Sequence, residues 1–389
     1  MNTALKRKQT MHKYLMYNTG EMFTEHQTGG AKRFEELTKY LFSKGVADLC
    51  CQDSPAKLEE NGLHAAYEFR EREKTGLMKL LPPEAARLVT NWSLLKQMKR
   101  ANYENVVSFD VPPTIGLCLL GFRNVILMIR KDMIGYSTVT AEGKIGWKHR
   151  LKMFYMWACE SICLKKAKKI VVQCEYDKQQ LLNRHSWIAA KVEGKFCVQI
   201  NNVNPSWIVK KSAAVAPADC PTDQFRVCFV GNFNDSRKGH DILLEAASAL
   251  QKAGCDIRFE IIGAGRDLEH YRNAYESENI VFHGRLDNPM TMLKSCDLMV
   301  VPSRADSCPN TVMESLYNGI AVIGSRVGGI PDILQDPESM FALDAMSLAQ
   351  CIEKLYKTPQ AMETLRARQS ARKEELMFDW AQRIYEIIG

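Results

Sequence analysis

The sequence predicts an α/β protein built from two parallel sheets, a linker and a helical tail. Three observations predict it. Short apolar or β-branched runs alternate with longer stretches of helical period from Tyr14 to about Leu343, the pattern of right-handed βαβ units. The segment Pro205–Gln224 has three Pro, four Ala and little periodicity, as a connection between two such units would. The formal charge also changes sign along the chain. Residues 1–210 hold 33 Lys and Arg against 20 Asp and Glu, and the remainder holds 19 against 25. Halves that differ this much point to two modules with different partners.

In the first half the strand candidates are Tyr14–Tyr17, Asn105–Phe109, Asn124–Ile129, Ile170–Gln173 and Phe196–Gln199. In the second they are Arg226–Val230, Ile257–Ile262, Ile280–Phe282, Leu298–Val301 and Ala321–Gly324. Each is a strand-length apolar run bounded by polar or turn residues. Lys238–Lys252 follows a Gly-containing turn and places Ile242, Leu243, Ala246 and Leu250 on one helical face. Thr311–Tyr317 follows a Ser-Cys-Pro-Asn turn suited to a helix start. From Ala345 the pattern is wholly helical through Ile388.

At 389 residues the chain has room for two or three domains. With 46% hydrophobic and 25% charged residues it is neither collagen-like nor disordered. Its apolar runs Ile115–Phe122 and Asn124–Ile129 are strand-sized, well short of the ~18 residues of a membrane-spanning helix. Lys6, Arg7 and Lys8 are not followed by an apolar stretch, so no secretory signal is expected. The thirteen Cys lack paired C-x-x-C clusters and read as reduced core thiols of a cytoplasmic protein.

The chemistry concentrates in the second half. Gly-bearing turns follow three strand candidates: Gly231, then Gly263 with Gly265, then Gly328 with Gly329. In open parallel sheets ligands bind at the carboxyl ends of strands, where helix starts offer N–H groups to anions. Lys238 sits just after the first turn. Asp306 and Glu314 stand eight positions apart, one in the loop after a strand and one a turn inside the next helix. Between them Asn310, Thr311 and Val312 offer backbone N–H groups at the helix N-terminus. An acid in such a helix can accept paired hydrogen bonds from vicinal hydroxyls.

In order and spacing, "FVGNFNDSRKGHDILLEA", "EIIGAGRD", "VFHGRL" and "DLMVVPSRADSCPNTVMESLYNGIAVIGSRVGGIPDIL" resemble the C-terminal domain of glycosyltransferase family 4, over roughly Phe225–Lys357. "YNTGEMFTEHQTGGAKRFEELTKYL", "CLKKAKKIVVQCEYDKQQLL" and "INNVN" resemble stretches of its N-terminal domain. The resemblance implies the GT-B fold: two Rossmann-like domains with parallel sheets facing across a cleft, and a C-terminal helical tail. It implies an N-terminal acceptor-binding domain over 1–205, a linker over 206–224, a donor-binding domain over 225–374, and a helix over 375–389 returning to the N-terminal domain.

The resemblance also assigns roles. Glu314 matches the second acid of the E-x7-E motif, which binds the donor ribose, and Asp306 the first, which contacts the transferred sugar. Asn310, Thr311 and Val312 match the backbone donors near the pyrophosphate, and Lys238 the lysine that holds the diphosphate. Gly29 and Gly30 match the loop that lies against donor phosphate and acceptor. Gly231 and Gly263 fall in donor-side turns, and Arg285 where the base packs. The first acid is Asp rather than Glu. The usual Arg partner of the lysine is replaced by Asn232, with Arg237 beside Lys238. Arg130-Lys131-Asp132 stands where the family often has His, which makes Arg130 and Asp132 pocket candidates.

The implied activity is a retaining, metal-independent transfer of a sugar from a UDP- or GDP-linked donor to a glycan or lipid-linked acceptor, in cell-surface polysaccharide or glycolipid synthesis. The nucleotide sugar is a substrate, and no cofactor or metal is expected. The alternatives are a non-catalytic nucleotide-sugar-binding protein or a GT-B-fold sugar-nucleotide epimerase. Gly143–Lys169 carries Lys144, Lys148, Arg150, Lys152, Lys165, Lys166, Lys168 and Lys169, interleaved with Trp147, Phe154, Tyr155 and Trp157. Such a segment suits peripheral contact with an anionic membrane at its inner face. The basic residues form no nucleic-acid-binding module, so no nucleic-acid partner is expected.

Overall fold

The structure, a computed structural model, describes residues 13–24, 29–70, 83–140, 146–205, 224–286 and 288–389. Nearly all of the expected linker, and Lys144 of the basic segment, lie outside the described residues. Among the described residues, thirteen strands form two all-parallel sheets. The first joins β1 (Tyr14–Tyr17), β2 (Ala47–Cys51), β3 (Tyr67–Glu68), β4 (Asn105–Phe109), β5 (Val125–Ile129), β6 (Lys169–Val172) and β7 (Phe196–Val198) in the order β3-β2-β1-β4-β5-β6-β7. The second joins β8 (Phe225–Val230), β9 (Ile257–Ile262), β10 (Ile280–Gly284), β11 (Leu298–Val301), β12 (Ala321–Ser325) and β13 (Met340–Phe341) in the order β10-β9-β8-β11-β12-β13. The strand order reverses between β1 and β4 and again between β8 and β11. At such switch points the flanking loops part and leave a crevice beyond the carboxyl ends of the strands.

Every strand candidate appears as a strand, four with the expected bounds and the others with ends shifted by one or two residues. Three strands lack a local signature. Ala47–Cys51 opens on Ala-Asp and ends on Cys-Cys, and its place comes from pairing with β1 and burial. Tyr67–Glu68 and Met340–Phe341 are two-residue edge strands, too short for a period to show. The strand-sized run Ile115–Phe122 falls mostly in a helix, Val111–Leu119, which starts with Pro112 and Pro113 in its first turn, where a missing N–H costs no hydrogen bond. Lys238 lies outside the following helix. Ser236–Lys238 is a 3-10 turn, Gly239 adopts φ 67°, and the helix starts at His240. A Cβ on Gly239 would sit 1.9 Å from the Pro302 carbonyl oxygen, so only glycine fits this stop.

The final helix, Trp380–Ile388, buries Trp380, Ala381, Ile384 and Ile388 in the first sheet's core beside Leu37 and Leu41. Burying each isoleucine is worth about 1.5–3 kcal/mol, so the chain end closes the N-terminal layer. The two chain passages between the sheets are tied together there. Arg33 donates to the Asn202 carbonyl at 2.9 Å, Asn202 Nδ2 donates to the Phe378 carbonyl at 2.5 Å, and Val203 N–H donates to the Leu376 carbonyl at 3.1 Å. The described cysteines are all free thiols, and most are buried.

A buried ion cluster organises the second sheet. Glu260 on β9 has no exposed surface, and it accepts from Arg226 on β8, Arg258 on its own strand and His283 on β10. Burial alone would raise its pKa, but the His283, Arg226 and Arg258 donors hold it down to about 2. Because the folded value lies below the ordinary 4.5, this stabilisation is present above pH 4.5 and lost as pH falls toward 2. Replacing Glu260 by Ala leaves the largely buried Arg226 without its carboxylate. A loss of about 3–5 kcal/mol is expected from denaturant unfolding at pH 7, and a loss below about 1 kcal/mol contradicts this role for the cluster.

Candidate active site

The carboxyl ends of the two sheets meet across a narrow cleft. On the first sheet, Asp110 directly follows β4 and Arg130 directly follows β5. Arg130 binds Asp110 through its backbone N–H at 3.0 Å and its Nε at 2.9 Å, and through a further guanidinium contact. Asp110 is held at φ 63°, a strained conformation for a residue with a side chain, kept in place by this clamp. Arg130 lies directly over Gly30, where a Cβ would fall 1.6 Å from its guanidinium nitrogen. The neighbouring Gly29 starts the Gly29–Ser43 helix, and a Cβ there would sit 2.8 Å from the side-chain nitrogen of Asn310, across the cleft. The paired glycines therefore let two helix N-termini approach each other from opposite sheets.

On the second sheet, the loop after β11 carries Asp306 and Ser307 into the helix Asn310–Tyr317. Lys238 Nζ binds Asp306 Oδ2 at 2.7 Å, which brings the turn after β8 onto this loop. Asn310 and Thr311 open the helix, and their N–H groups make no hydrogen bond among the described residues. Val312 differs from expectation: its N–H donates to the Pro309 carbonyl at 3.2 Å and is committed to the turn. Glu314 lies half-buried one turn into the helix. Gly231 and Gly263 are in backbone contact. A Cβ on Gly263 would fall 1.8 Å from the Gly231 carbonyl oxygen, so this glycine serves loop-to-loop packing. Gly263 N–H donates to the Gly284 carbonyl at 2.9 Å, which places the exposed Arg285 beside the same strand ends.

Two sequence candidates are arranged differently from expectation. Arg237 is clamped by Asp235, with Nε to Oδ1 at 2.9 Å, and its guanidinium stacks 4.1 Å from the Tyr136 ring centroid. It faces the first domain through that stack. Asp132 is buried, ion-paired with Arg184, and accepts the Gly135 N–H at 3.0 Å. Its carboxylate is spent on a turn of the first domain and leaves the pocket to Arg130.

Cross-cleft residues that the sequence reading missed complete the site. Tyr136 Oη accepts the Ser307 N–H at 2.6 Å and shares a hydrogen bond with Ser307 Oγ at 2.8 Å. Burial pushes the phenol up, which keeps its proton in place. Asp332 of the second domain accepts the Glu175 N–H at 2.8 Å, capping a helix of the first. Asp177, on that helix, is 1% exposed, and its Oδ2 has no hydrogen-bond partner among the described residues. Sequence offers one signal, the acid Asp110 directly after the Asn105–Phe109 strand. Tyr136, Ser307 and Asp177 meet only because the two sheets close on each other.

Asp177 makes the closure sensitive to pH. Burial, then the Asp132 and Asp306 carboxylates, raise its pKa to about 6 against the lowering effect of the Ser307 and Cys174 hydrogen bonds. The folded protein keeps a proton that the unfolded chain releases near 3.8. The stability this group contributes is therefore full below 3.8, falls as pH rises, and is lost above about 6. Asp177→Asn is expected to flatten the change in melting temperature between pH 4.5 and 7. Parallel profiles for variant and wild type contradict this placement of Asp177.

Residues 224–358 match the family model described as "Glycosyl transferases group 1". The chain is 24% identical over 172 residues to the N-acetyl-alpha-D-glucosaminyl L-malate synthase of Bacillus anthracis, covering 41% of this chain and 45% of that protein. It thus spans less than half the length of that relative. The sucrose-phosphate synthase of Thermosynechococcus elongatus superposes with a TM-score of 0.66 at 17% identity, covering 96% of this chain and 97% of that one. The Anabaena HepE protein, solved with UDP and glucose, superposes with a TM-score of 0.66 at 14% identity, covering 97% and 99%. The architecture is that of the GT-B fold, and within it residues 224–358 are similar to the glycosyl transferases of group 1.

Proposed function

We propose that the protein is a retaining glycosyltransferase that moves a sugar from a nucleotide-diphosphate donor, UDP- or GDP-linked, to a hydroxyl of a glycan or lipid-linked acceptor, in polysaccharide or glycolipid synthesis. One observation carries this reading: the helix starts at Gly29 and Asn310 converge on one point, with Arg130 and Lys238 beside it. Two helix N-termini and two cations form an anion site matched to a diphosphate. Anabaena HepE, whose fold this chain shares, was solved with UDP-glucose, which supports a nucleotide-sugar donor.

In the transfer, the bond between the anomeric carbon and the diphosphate oxygen breaks, and a bond from that carbon to the acceptor oxygen forms on the same face. The acceptor proton passes to the departing phosphate oxygen. Lys238 and the Asn310 and Thr311 N–H groups stabilise charge on the leaving diphosphate, without a metal ion in that role. Arg130 reaches the same phosphates from the opposite wall. Asp306, released from Lys238, accepts hydroxyls of the sugar, and Glu314 those of the ribose. Arg285 flanks the base. The protein works in the cytoplasm at the inner face of an anionic membrane, with the Trp147–Lys166 helix as its contact face.

Lys238→Ala is expected to lower donor turnover at least about 100-fold and to shrink the thermal shift given by the nucleotide sugar. Turnover within threefold of wild type contradicts the assignment. Glu314→Ala is expected to raise the donor KM with a smaller effect on kcat, because ribose contacts are the same in ground and transition states. An unchanged KM excludes Glu314 from the nucleotide site.

A further inference from the structure

Beside the cleft, on the first domain, lies a cavity of about 810 Å³. Its walls come from the Val111–Leu119 helix, the end of β5, the Met133–Thr140 helix and one face of the Trp147–Lys166 helix as far as Glu160. Ile115, Met133, Ile134, Leu151, Tyr155 and Met156 make the lining mostly apolar. The size suits a small molecule, and nothing in the phosphate chemistry above uses it. Asp110, which clamps Arg130 over Gly30, also forms part of its wall, so the cavity adjoins the reaction centre.

Its charges are one-sided. Of the acids on the wall, Asp110 is paired with Arg130, and Glu160 is bound by Arg184 at 2.8 Å and His185 at 2.7 Å. Lys131, Lys148 and Lys152 also line it, and no described carboxylate pairs with any of them. Lys148 and Lys152 stand one helical turn apart on the same face. At the mouth, Trp147 is 71% exposed and Leu151 61% exposed. An apolar interior with lysines that no described carboxylate neutralises complements a molecule that is apolar along its length and anionic at one end.

We propose that this cavity holds the acceptor, and that the acceptor is an amphiphile with a single apolar chain and a phosphate-type anionic group held by Lys131, Lys148 and Lys152. The assignment rests on the glycosyl-transfer reading and specifies its acceptor. The apolar chain fills the space between the three helices, and the anionic end anchors it so that the acceptor hydroxyl lies toward Asp110.

The test is calorimetric titration of the full chain with octyl, decyl and dodecyl phosphate, each kept below its micelle-forming concentration. Saturable one-to-one binding is expected. Affinity should rise about fourfold per added methylene, the equivalent of about 0.8 kcal/mol. Leu151→Glu, and Lys148→Glu with Lys152→Glu, should each weaken dodecyl phosphate at least tenfold, and inorganic phosphate should bind no better than to the variants. Affinity independent of chain length overturns the proposal. So does binding to phosphatidylglycerol vesicles without binding to the monomeric phosphates, which would indicate a membrane-docking face only. A nucleotide-sugar thermal shift, run on the same samples, separates the two readings. Donor binding without alkyl-phosphate binding overturns the cavity assignment alone. Alkyl-phosphate binding without donor binding supports the cavity and overturns the donor site.

Discussion

The structure depends on the close approach of two helix N-termini, each positive, across the gap between two sheets. Gly29 and Gly30 remove the side chains that would hold these helices apart. The approach concentrates like charge, because Arg130 lies over Gly30 at one helix start and Lys238 is held by Asp306 in the loop that leads into the other. Each cation is balanced by one carboxylate: Arg130 by Asp110, Lys238 by Asp306 and Arg237 by Asp235. The carboxylates hold the site together before an anion enters. In the transfer we propose, a diphosphate displaces Asp306 from Lys238 and frees that acid for the sugar, so one exchange of partners couples donor binding to the arming of the site.

The rest of the fold supports this approach. Both sheets reverse strand order where the crevice opens, so the loops that carry Asp110, Arg130, Lys238 and Asp306 rise toward each other. Tyr136 and Ser307, and Asp332 with the Glu175 N–H, bridge the gap with hydrogen bonds. The returning Trp380–Ile388 helix and the Arg33–Asn202–Phe378 links tie the two chain crossings at the far side. The domains are pinned at both places, and the cross-cleft contacts are polar and few, which suits a cleft that opens to admit its substrates.

Much of this was legible in the sequence where a residue's role is local. Parallel strands of pure apolar character, such as Val125–Ile129 and Leu298–Val301, announce themselves, and so does the Asp306–Glu314 spacing around a helix start. The Ala47–Cys51 strand was hidden because its burial is imposed by its neighbour. Lys238 read as a helix residue because periodicity cannot register the left-handed Gly239 that delays the helix. Asp132 looked like a pocket residue because it follows a strand end, yet its ion pair with Arg184 joins positions far apart in the chain. Tyr136, Ser307 and Asp177 carry no local sign at all, since their roles exist only across the domain gap. The sequence also showed a basic, aromatic segment but not the cavity behind it, which requires helices from three separate stretches.

The central claim is that the Lys238–Asp306 pair occupies the diphosphate site and opens when the donor binds. A crystal structure of the chain with a bound UDP- or GDP-sugar tests it most directly. The account predicts the diphosphate within hydrogen-bond reach of Lys238 Nζ and of the Asn310 and Thr311 N–H groups, with Asp306 turned from Lys238 toward the sugar and Glu314 on the ribose. A nucleotide bound away from Lys238, or one bound there with the Lys238–Asp306 contact intact, would contradict it.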